Sequence, residues 1–144
     1  MNTKINQPPI AKHIVEHFKG MQCIACSTRE HVIADHKNGI FNNPRVLDIN
    51  TQTIDDFQPL CKYHWHIKQE HMKQMLKTKI RTPCPDMFFV SHGIHYIEGT
   101  EVFDETDVNW GIGSYWYDLD TFRKKALEIM LQNMAKKQNI SIKC

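Results

Sequence analysis

The chain has 144 residues, of which 41% are hydrophobic and 24% charged, and a formal net charge of +2. This length fits one domain, or one domain with a short extension. The composition is that of a globular protein and excludes disordered, collagen-like and low-complexity chains. No apolar run is long enough for a membrane-spanning helix or a secretory signal, so we expect a cytoplasmic protein with no membrane partner.

Hydrophobic periodicity predicts a short helix, then two strands and a helix. Ile14 and Phe18 have helical spacing after Pro8 and Pro9, and Gly20 is placed to end the first helix. Short β-branched stretches at residues 31–34 and 45–49, separated by Asn-Gly and Asn-Pro turn signals, predict two strands with a polar loop between them. After Pro59 the spacing becomes helical again, and a row of lysines is expected on the exposed side.

The C-terminal part of the sequence, from about residue 83, predicts an extension to the two strands and long helix. Residues 82–85 contain two prolines that end the long helix, and residues 88–90 and 94–97 predict a β-hairpin across His92-Gly93. A last helix is predicted from about Asp120 as its N-cap. We therefore expect an α+β protein with a single domain over residues 1–144, divided into an N-terminal helix (1–20), a core (21–82) and a C-terminal hairpin plus helix (83–144).

Charge is distributed unevenly along the chain. Residues 62–81 contain six Lys or Arg and one Glu, whereas residues 98–120 contain seven Asp or Glu and no Lys or Arg. The basic segment could contact phosphates, or it could be an ordinary solvated helix face. The lysines concerned are Lys62, Lys68, Lys73 and Lys77.

Two close pairs of ligand residues predict a structural zinc site. Cys23-x2-Cys26 and Cys61-x2-His64 each have the tight spacing that one tetrahedral zinc requires. The ion would join the strands to the basic helix and contribute directly to folding. Buried structural cysteines and a redox-active thiol pair are the alternatives. His66 could replace His64 as the fourth ligand, but we prefer His64 because residues i and i+3 share a helix face.

An Asp-His pair lies between the two ligand pairs. Asp35 and His36 end the first predicted strand, just before a polar loop. A carboxylate can hold Mg²⁺, and a neutral imidazole can take a proton from water. An Asp-His dipeptide alone indicates nothing about function. Here it lies between the two halves of a predicted zinc site and before a basic helix, and this combination indicates a catalytic site.

This order of motifs resembles the HNH nucleases, which have a zinc-clipped ββα-metal core. The stretches 35–39, 43–46, 51–53 and 56–61 are similar to the nuclease half of HNH type II restriction endonucleases, and so is Gly-Ser-Tyr-Trp-Tyr-Asp at residues 113–118. The resemblance implies a Mg²⁺-dependent (or Mn²⁺-dependent) endonuclease acting on double-stranded DNA. In that reading Asp35 is a metal ligand, His36 is the general base, and Arg45 contacts DNA unless it forms a surface ion pair.

The sequence departs from the family motif at two positions. The Asn that orients the catalytic loop aligns with Asp56, which accepts hydrogen bonds but cannot donate as an amide does. The third motif position aligns with Trp65, whose indole cannot ligate a metal. His66, one residue further on, is then the candidate second Mg²⁺ ligand, and an equally good alternative is that it faces solvent or phosphate.

Two classes of function therefore stay open. One is a restriction-type endonuclease, which we expect to act as a homodimer and which could be accompanied by a cognate methyltransferase. The other is a zinc-stabilised DNA-binding module, or a decayed and inactive HNH protein, which the Trp65 position favours.

Overall fold

The structure, a computed structural model, describes residues 7–142, with side chains described for residues 7–138. It has a mixed α and β composition with one small sheet in this range. The elements in chain order are α1 (Lys12–Phe18), β1 (Val32–His36), α2 (Pro44–Leu47), a 3-10 turn (Ile54–Asp56), β2 (Phe57–Cys61), α3 (Lys62–Thr78), α4 (Met87–Val90) and α5 (Leu119–Ile142). None of the helices in the described range is long and apolar enough to span a membrane.

The two strands form an antiparallel pair whose register sets the direction of the central side chains. Asp35 lies opposite Gln58, and His36 lies opposite Phe57. Successive residues of a strand point to opposite faces of a sheet. Asp35 and Gln58 therefore share one face, and His36 and Phe57 share the other.

The two faces of the sheet pack against different parts of the chain. On the face of Asp35, Leu60 belongs to the main core, together with Trp65 of α3 and Phe122 of α5. On the face of His36, Ile14 and Phe18 of α1 pack against Ala34 and Phe57 in a smaller cluster. The predicted N-terminal helix is thus present, and it covers the sheet from the side opposite α3.

The second strand is not where the sequence predicts it. Residues 44–47 form α2 instead, because the Asn43 side chain accepts a hydrogen bond from the Arg45 amide and Pro44 occupies the first helical position. The strand that pairs with β1 is β2. Pro59 lies within it, and its lack of an amide hydrogen is tolerated because a two-stranded sheet has only edge strands.

Two predictions for the C-terminal extension are wrong in detail. The expected hairpin is absent from residues 88–97, since Asp86 caps the Phe88 amide and residues 87–90 form α4. The last helix is present but begins at Leu119. Its cap is Asp118, whose Oδ1 accepts a hydrogen bond from the Thr121 amide at 3.1 Å, so Asp120 lies inside the first turn.

Gln58 connects the sheet to the C-terminal extension. Its Nε2 donates to Asp35 Oδ2 at 3.1 Å and to the Trp116 carbonyl at 3.0 Å, while its Oε1 accepts from the Leu119 amide at 3.1 Å. The side chain is buried. One amide therefore satisfies polar groups from β1 and from the start of α5.

Replacing Gln58 by Leu should destabilise the protein strongly. The variant leaves the Leu119 amide and the Trp116 carbonyl buried without this partner, at about 1–3 kcal/mol per group. We expect the free energy of unfolding in urea to fall by about 3 kcal/mol. The control is Gln74→Leu on the exposed side of α3, with a change within about 0.5 kcal/mol. Equal losses in the two variants would show that the Gln58 network is not a stabilising element.

Candidate active site and metal centre

The four predicted zinc ligands come together in the structure. The ligand atoms of Cys23, Cys26, Cys61 and His64 all lie within 4.8 Å of one another. The Cys26 and Cys61 sulfurs are 3.9 Å apart, and Cys61 Sγ is 3.3 Å from His64 Nδ1. A tetrahedron with Zn–S bonds of about 2.3 Å has edges of about 3.8 Å. The donor set and spacing therefore fit one zinc ion.

Local backbone geometry forms the first half of this cluster. The turn from Cys23 is closed by a hydrogen bond from the Ser27 amide to the Cys23 carbonyl at 2.8 Å. The Ala25 amide points at the Cys23 sulfur, 3.3 Å away. From α5, Arg123 donates to the carbonyls of Ile24 and Ala25. The last helix thus supports the turn that carries the first two ligands.

The thiols of this cluster ionise unequally. Burial raises the pKa of the Cys61 thiol to about 11, and the nearby Cys23 sulfur adds to this increase. Burial also acts to raise the pKa of Cys23, but amide hydrogen bonds outweigh it and the net direction is downward. A bound divalent cation would favour the thiolate form of all three cysteines, which is the form that ligates zinc.

Asp35 forms a buried ion pair rather than an open carboxylate. It is 1% exposed, and its Oδ2 accepts from Lys68 Nζ at 2.6 Å. Lys68 Nζ also donates to the carbonyls of His36 at 2.8 Å and Lys37 at 3.2 Å. Three acceptors match the three hydrogens of an ammonium group. Burial lowers the pKa of Lys68, and the Asp35 carboxylate opposes this effect.

The expectation that Lys68 binds DNA is therefore wrong. Its side chain is fully buried, at 0% exposure. Trp65, Lys68, Met72 and Met75 are the buried residues of α3 and follow one another at intervals of three and four. This spacing places Lys68 in the middle of the buried stripe. The helical spacing of Lys68 with Trp65 and Met72 is the sequence signal for its burial. The charge of lysine argues against burial, so the signal is easily overlooked.

His36 lies on the other face of the sheet in a largely apolar environment. It is 1% exposed, and its ring contacts those of Phe41 and Phe57 at centroid distances of 5.2 and 4.7 Å. Burial lowers the pKa of His36 to about 4, and the Lys68 charge adds to this effect. The imidazole is thus neutral near pH 7. Its Nδ1 lies 3.1 Å from Gln7 Oε1, and its Nε2 has no hydrogen-bond partner within the described part of the chain.

Asp56 closes the loop that follows His36. Its Oδ1 and Oδ2 accept two hydrogen bonds from Arg45, at 2.6 and 3.0 Å, and Oδ2 also accepts from the Thr53 amide at 2.8 Å. The Asp56 carbonyl accepts from the Lys37 amide. Burial acts to raise the pKa of Asp56, but these hydrogen bonds outweigh it and lower the pKa. The Arg45 charge is thus paired, as one of the two sequence interpretations expected.

His66 and Trp65 do not complete a metal site around Asp35. His66 is exposed, two residues before Lys68 and therefore about 200° around the helix from the side chain that holds Asp35. Trp65 is buried in the main core, and its indole Nε1 has no hydrogen-bond partner among the described residues. In residues 7–138, the zinc-type cluster is the one group of three or more His, Cys, Asp and Glu side chains placed to hold an ion.

The remaining basic candidates are on the surface. Lys62, Lys73 and Lys77 are exposed, and they share one face of α3 with His66. Lys73 is 3.3 Å from Glu70, an exposed pair of little energetic weight. Sequence reasoning missed Gln58 because β2 was not predicted, and it missed Gln7 because no local pattern relates residue 7 to His36.

A matched pair of histidine variants distinguishes the two candidate zinc ligands. We expect His64→Gln to lose zinc on purification or on mild chelation, because Nδ1 of His64 faces the cysteine sulfurs. His66→Gln should retain zinc, since His66 is exposed and outside the cluster. Zinc content measured by mass spectrometry, with circular dichroism to follow folding, tests this. Zinc loss from the His66 variant alone would assign the ligand to His66.

Removing the buried ammonium should be costly. Lys68→Met leaves the Asp35 carboxylate buried without a cation, and we expect the free energy of unfolding to fall by about 3–5 kcal/mol. The control Lys73→Met removes an exposed lysine of the same helix and should change it by less than about 0.5 kcal/mol. Adding Asp35→Asn to Lys68→Met should recover part of the loss. A double variant no more stable than Lys68→Met would contradict the ion pair as the cause.

Comparison with known proteins gives a family and one relative of known description. A family model described as ICEA Protein matches residues 1–142. The chain is 31% identical over 133 residues to the type II restriction enzyme NlaIII of Neisseria lactamica, an alignment that covers 88% of this chain and 56% of that enzyme. The chain thus spans little more than half the length of this relative. No solved structure matches the chain significantly. Since the family model covers almost every residue, the chain belongs to the ICEA protein family.

Proposed function

We propose that this protein is a restriction-type endonuclease that hydrolyses phosphodiester bonds of double-stranded DNA, with His36 as the general base. The observation that carries the proposal is the neutral imidazole of His36, whose Nε2 has no hydrogen-bond partner among the described residues. The similarity to a type II restriction enzyme supports the same class of reaction.

The arrangement around His36 supports an HNH assignment. Strand, strand and helix follow one another as β1, β2 and α3, and a zinc-type cluster ties the turn at Cys23 to the start of α3. This is the order that a ββα-metal core requires. We assign to Asp56 the role of orienting the loop after His36. Arg45 and the Thr53 amide donate to its carboxylate, and the Lys37 amide donates to its carbonyl.

We propose Asp35 as the protein ligand for Mg²⁺. Its buried side chain lies on the sheet face opposite His36, so the proposal requires that DNA binding also rearranges the end of β1 and exposes the carboxylate. Lys68 and Gln58 both bind Oδ2, and no described residue hydrogen-bonds to Oδ1. Mg²⁺ often takes only one or two carboxylates, with water and substrate phosphate completing its shell. Bound there, Mg²⁺ or Mn²⁺ would stabilise negative charge on the phosphate. The position of His66 gives no support for it as a second ligand.

Access to His36 requires movement of its surroundings. Nε2 is buried, and the rings of Phe41 and Phe57 pack against the imidazole, so the attacking water has no path to it in this conformation. Phe41 has φ of 58°, a left-handed conformation that costs a bulky residue about 1–3 kcal/mol. We propose that DNA binding displaces the loop that carries Phe41 and admits the attacking water.

Exposed lysines of α3 supply the proposed DNA contact surface. Lys62, Lys73 and Lys77 share a face of the helix with His66. Each phosphate contact releases counterions, so binding should weaken with added salt. Lys68 and Arg45 are not included in this DNA contact surface. Lys68 is buried against Asp35, and the charge of Arg45 is paired with Asp56.

A second candidate function is a zinc-stabilised DNA-binding module without nuclease activity. Trp65 favours it, because a buried indole occupies the motif position of a metal ligand. The burial of both Asp35 and His36 also favours it. For either function, we propose that a homodimer would recognise a two-fold symmetric DNA site. A restriction-type nuclease would also act beside a cognate methyltransferase.

A cleavage assay on plasmid DNA with Mg²⁺ or Mn²⁺ separates the two functions. We expect the natural protein to cut, and His36→Ala to lose at least about 100-fold in rate because the general base is gone. DNA binding in a gel-shift assay should be unchanged. The matched control is His13→Ala on the exposed side of α1, which should cut normally.

Each other result has a definite meaning. Normal cutting by His36→Ala would refute the assignment of the base. Salt-dependent binding without cutting by the natural protein would favour the binding module, and in that case restoring a ligand with Trp65→Asn should not produce cleavage.

A further inference from the structure

Residues 7–11, here called the N-terminal strap, lie over the face of the sheet that carries His36. Ile10 and Ala11 pack against the cluster of Ala34 and Phe57. Gln52 holds the strap in place: its Oε1 accepts from the Ala11 amide at 2.9 Å and its Nε2 donates to the Pro9 carbonyl at 2.8 Å. Gln52 is itself buried, at 6% exposure. The position of the strap is therefore fixed by a specific side chain.

The strap brings Gln7 to the imidazole of His36. Gln7 Nε2 donates to the Ala34 carbonyl at 3.3 Å, and Gln7 Oε1 lies 3.1 Å from His36 Nδ1. A carbonyl oxygen accepts but cannot donate, so the amide nitrogen must face Ala34. The amide oxygen must then face the ring. An amide oxygen accepts hydrogen bonds only, and Nδ1 must carry the hydrogen of this bond.

This orientation determines which ring nitrogen is free. A neutral imidazole has one hydrogen, and the hydrogen bond of one nitrogen sets the state of the other. With the hydrogen on Nδ1, Nε2 carries a lone pair. Nε2 is also the ring atom without a hydrogen-bond partner in the described part of the chain. Without Gln7, nothing described here would favour one tautomer.

We propose that Gln7 is a positioning residue that selects the Nδ1–H tautomer of His36 and so presents Nε2 as the proton acceptor, with Gln52 holding the strap that carries it. The inference deepens the proposed function and rests on it for its catalytic meaning. Gln7 acts through His36, whose Nδ1 it contacts. Because the amide is neutral, it fixes the tautomer without adding charge beside the buried ring.

The direct test is nitrogen-15 NMR of the full-length, zinc-loaded protein labelled at histidine, at about pH 7.5 where neutral imidazole predominates. The His36 signals are those that disappear in His36→Gln. We expect the Nδ1–H pattern in the natural protein. Gln7→Leu removes the acceptor and should shift the signals to the Nε2–H form or to a mixture.

Two further variants make the result specific. Gln22→Leu changes an exposed glutamine outside the strap and should leave the pattern unaltered. Gln52→Leu releases the strap without changing Gln7 and should shift the pattern as Gln7→Leu does. In the cleavage assay, Gln7→Leu should lower kcat by at least about tenfold at unchanged KM, because binding is not altered and the base is misoriented.

The outcomes separate this inference from the proposed function. Retention of the Nδ1–H tautomer in Gln7→Leu would overturn the inference, whatever the cleavage activity. A tautomer change in Gln7→Leu with normal kcat would overturn its catalytic meaning. If the tautomer responds as expected while the natural protein does not cut DNA, the role of Gln7 stands and the nuclease proposal fails.

Discussion

The buried ion pair between Asp35 and Lys68 is the interaction on which the arrangement of β1, the loop after it and α3 depends. It joins the end of β1 to the middle of α3, and Lys68 also binds the carbonyls of His36 and Lys37. Taking two charges out of water is costly unless their remaining hydrogen-bonding groups are satisfied. All three ammonium hydrogens have acceptors here, and Gln58 adds a second donor to the carboxylate. The pair therefore specifies where the strand lies on the helix.

The C-terminal extension holds the loop that follows β1. Trp110 donates from its indole to Asn38 Oδ1 at 3.1 Å, in the loop after β1. Asn42 in the same loop donates to the carbonyls of Glu105 and Asp107, each at 2.9 Å. The acidic segment thus contributes backbone carbonyls here, and its Asp118 carboxylate pairs with Lys37 of the same loop at 3.0 Å. The loop after β1 is therefore held by residues far along the chain.

The grouping of the four candidate zinc ligands could be predicted from sequence, because ligand spacing within each pair is a local property. The first strand, the long helix and the last helix were also predicted, since hydrophobic periodicity extends over them. The second strand was missed because Pro59 indicated a helix start, and α2 was missed because capping by Asn43 outweighs the β-branched character of residues 45–49. Lys68 was assigned to the surface because a lysine is rarely buried, and a tertiary partner such as Asp35 cannot be read from periodicity.

The bonds from Arg123 to the carbonyls of Ile24 and Ala25 join parts of the chain separated by 99 and 98 positions. Contacts of such long range form late in folding, because the loop between them must first be closed. During synthesis from the N-terminus, the turn that carries Cys23 and Cys26 would leave the ribosome well before the helix that supports it. Cys23 and Cys26, two of the four candidate zinc ligands, are therefore synthesised long before their surroundings are complete.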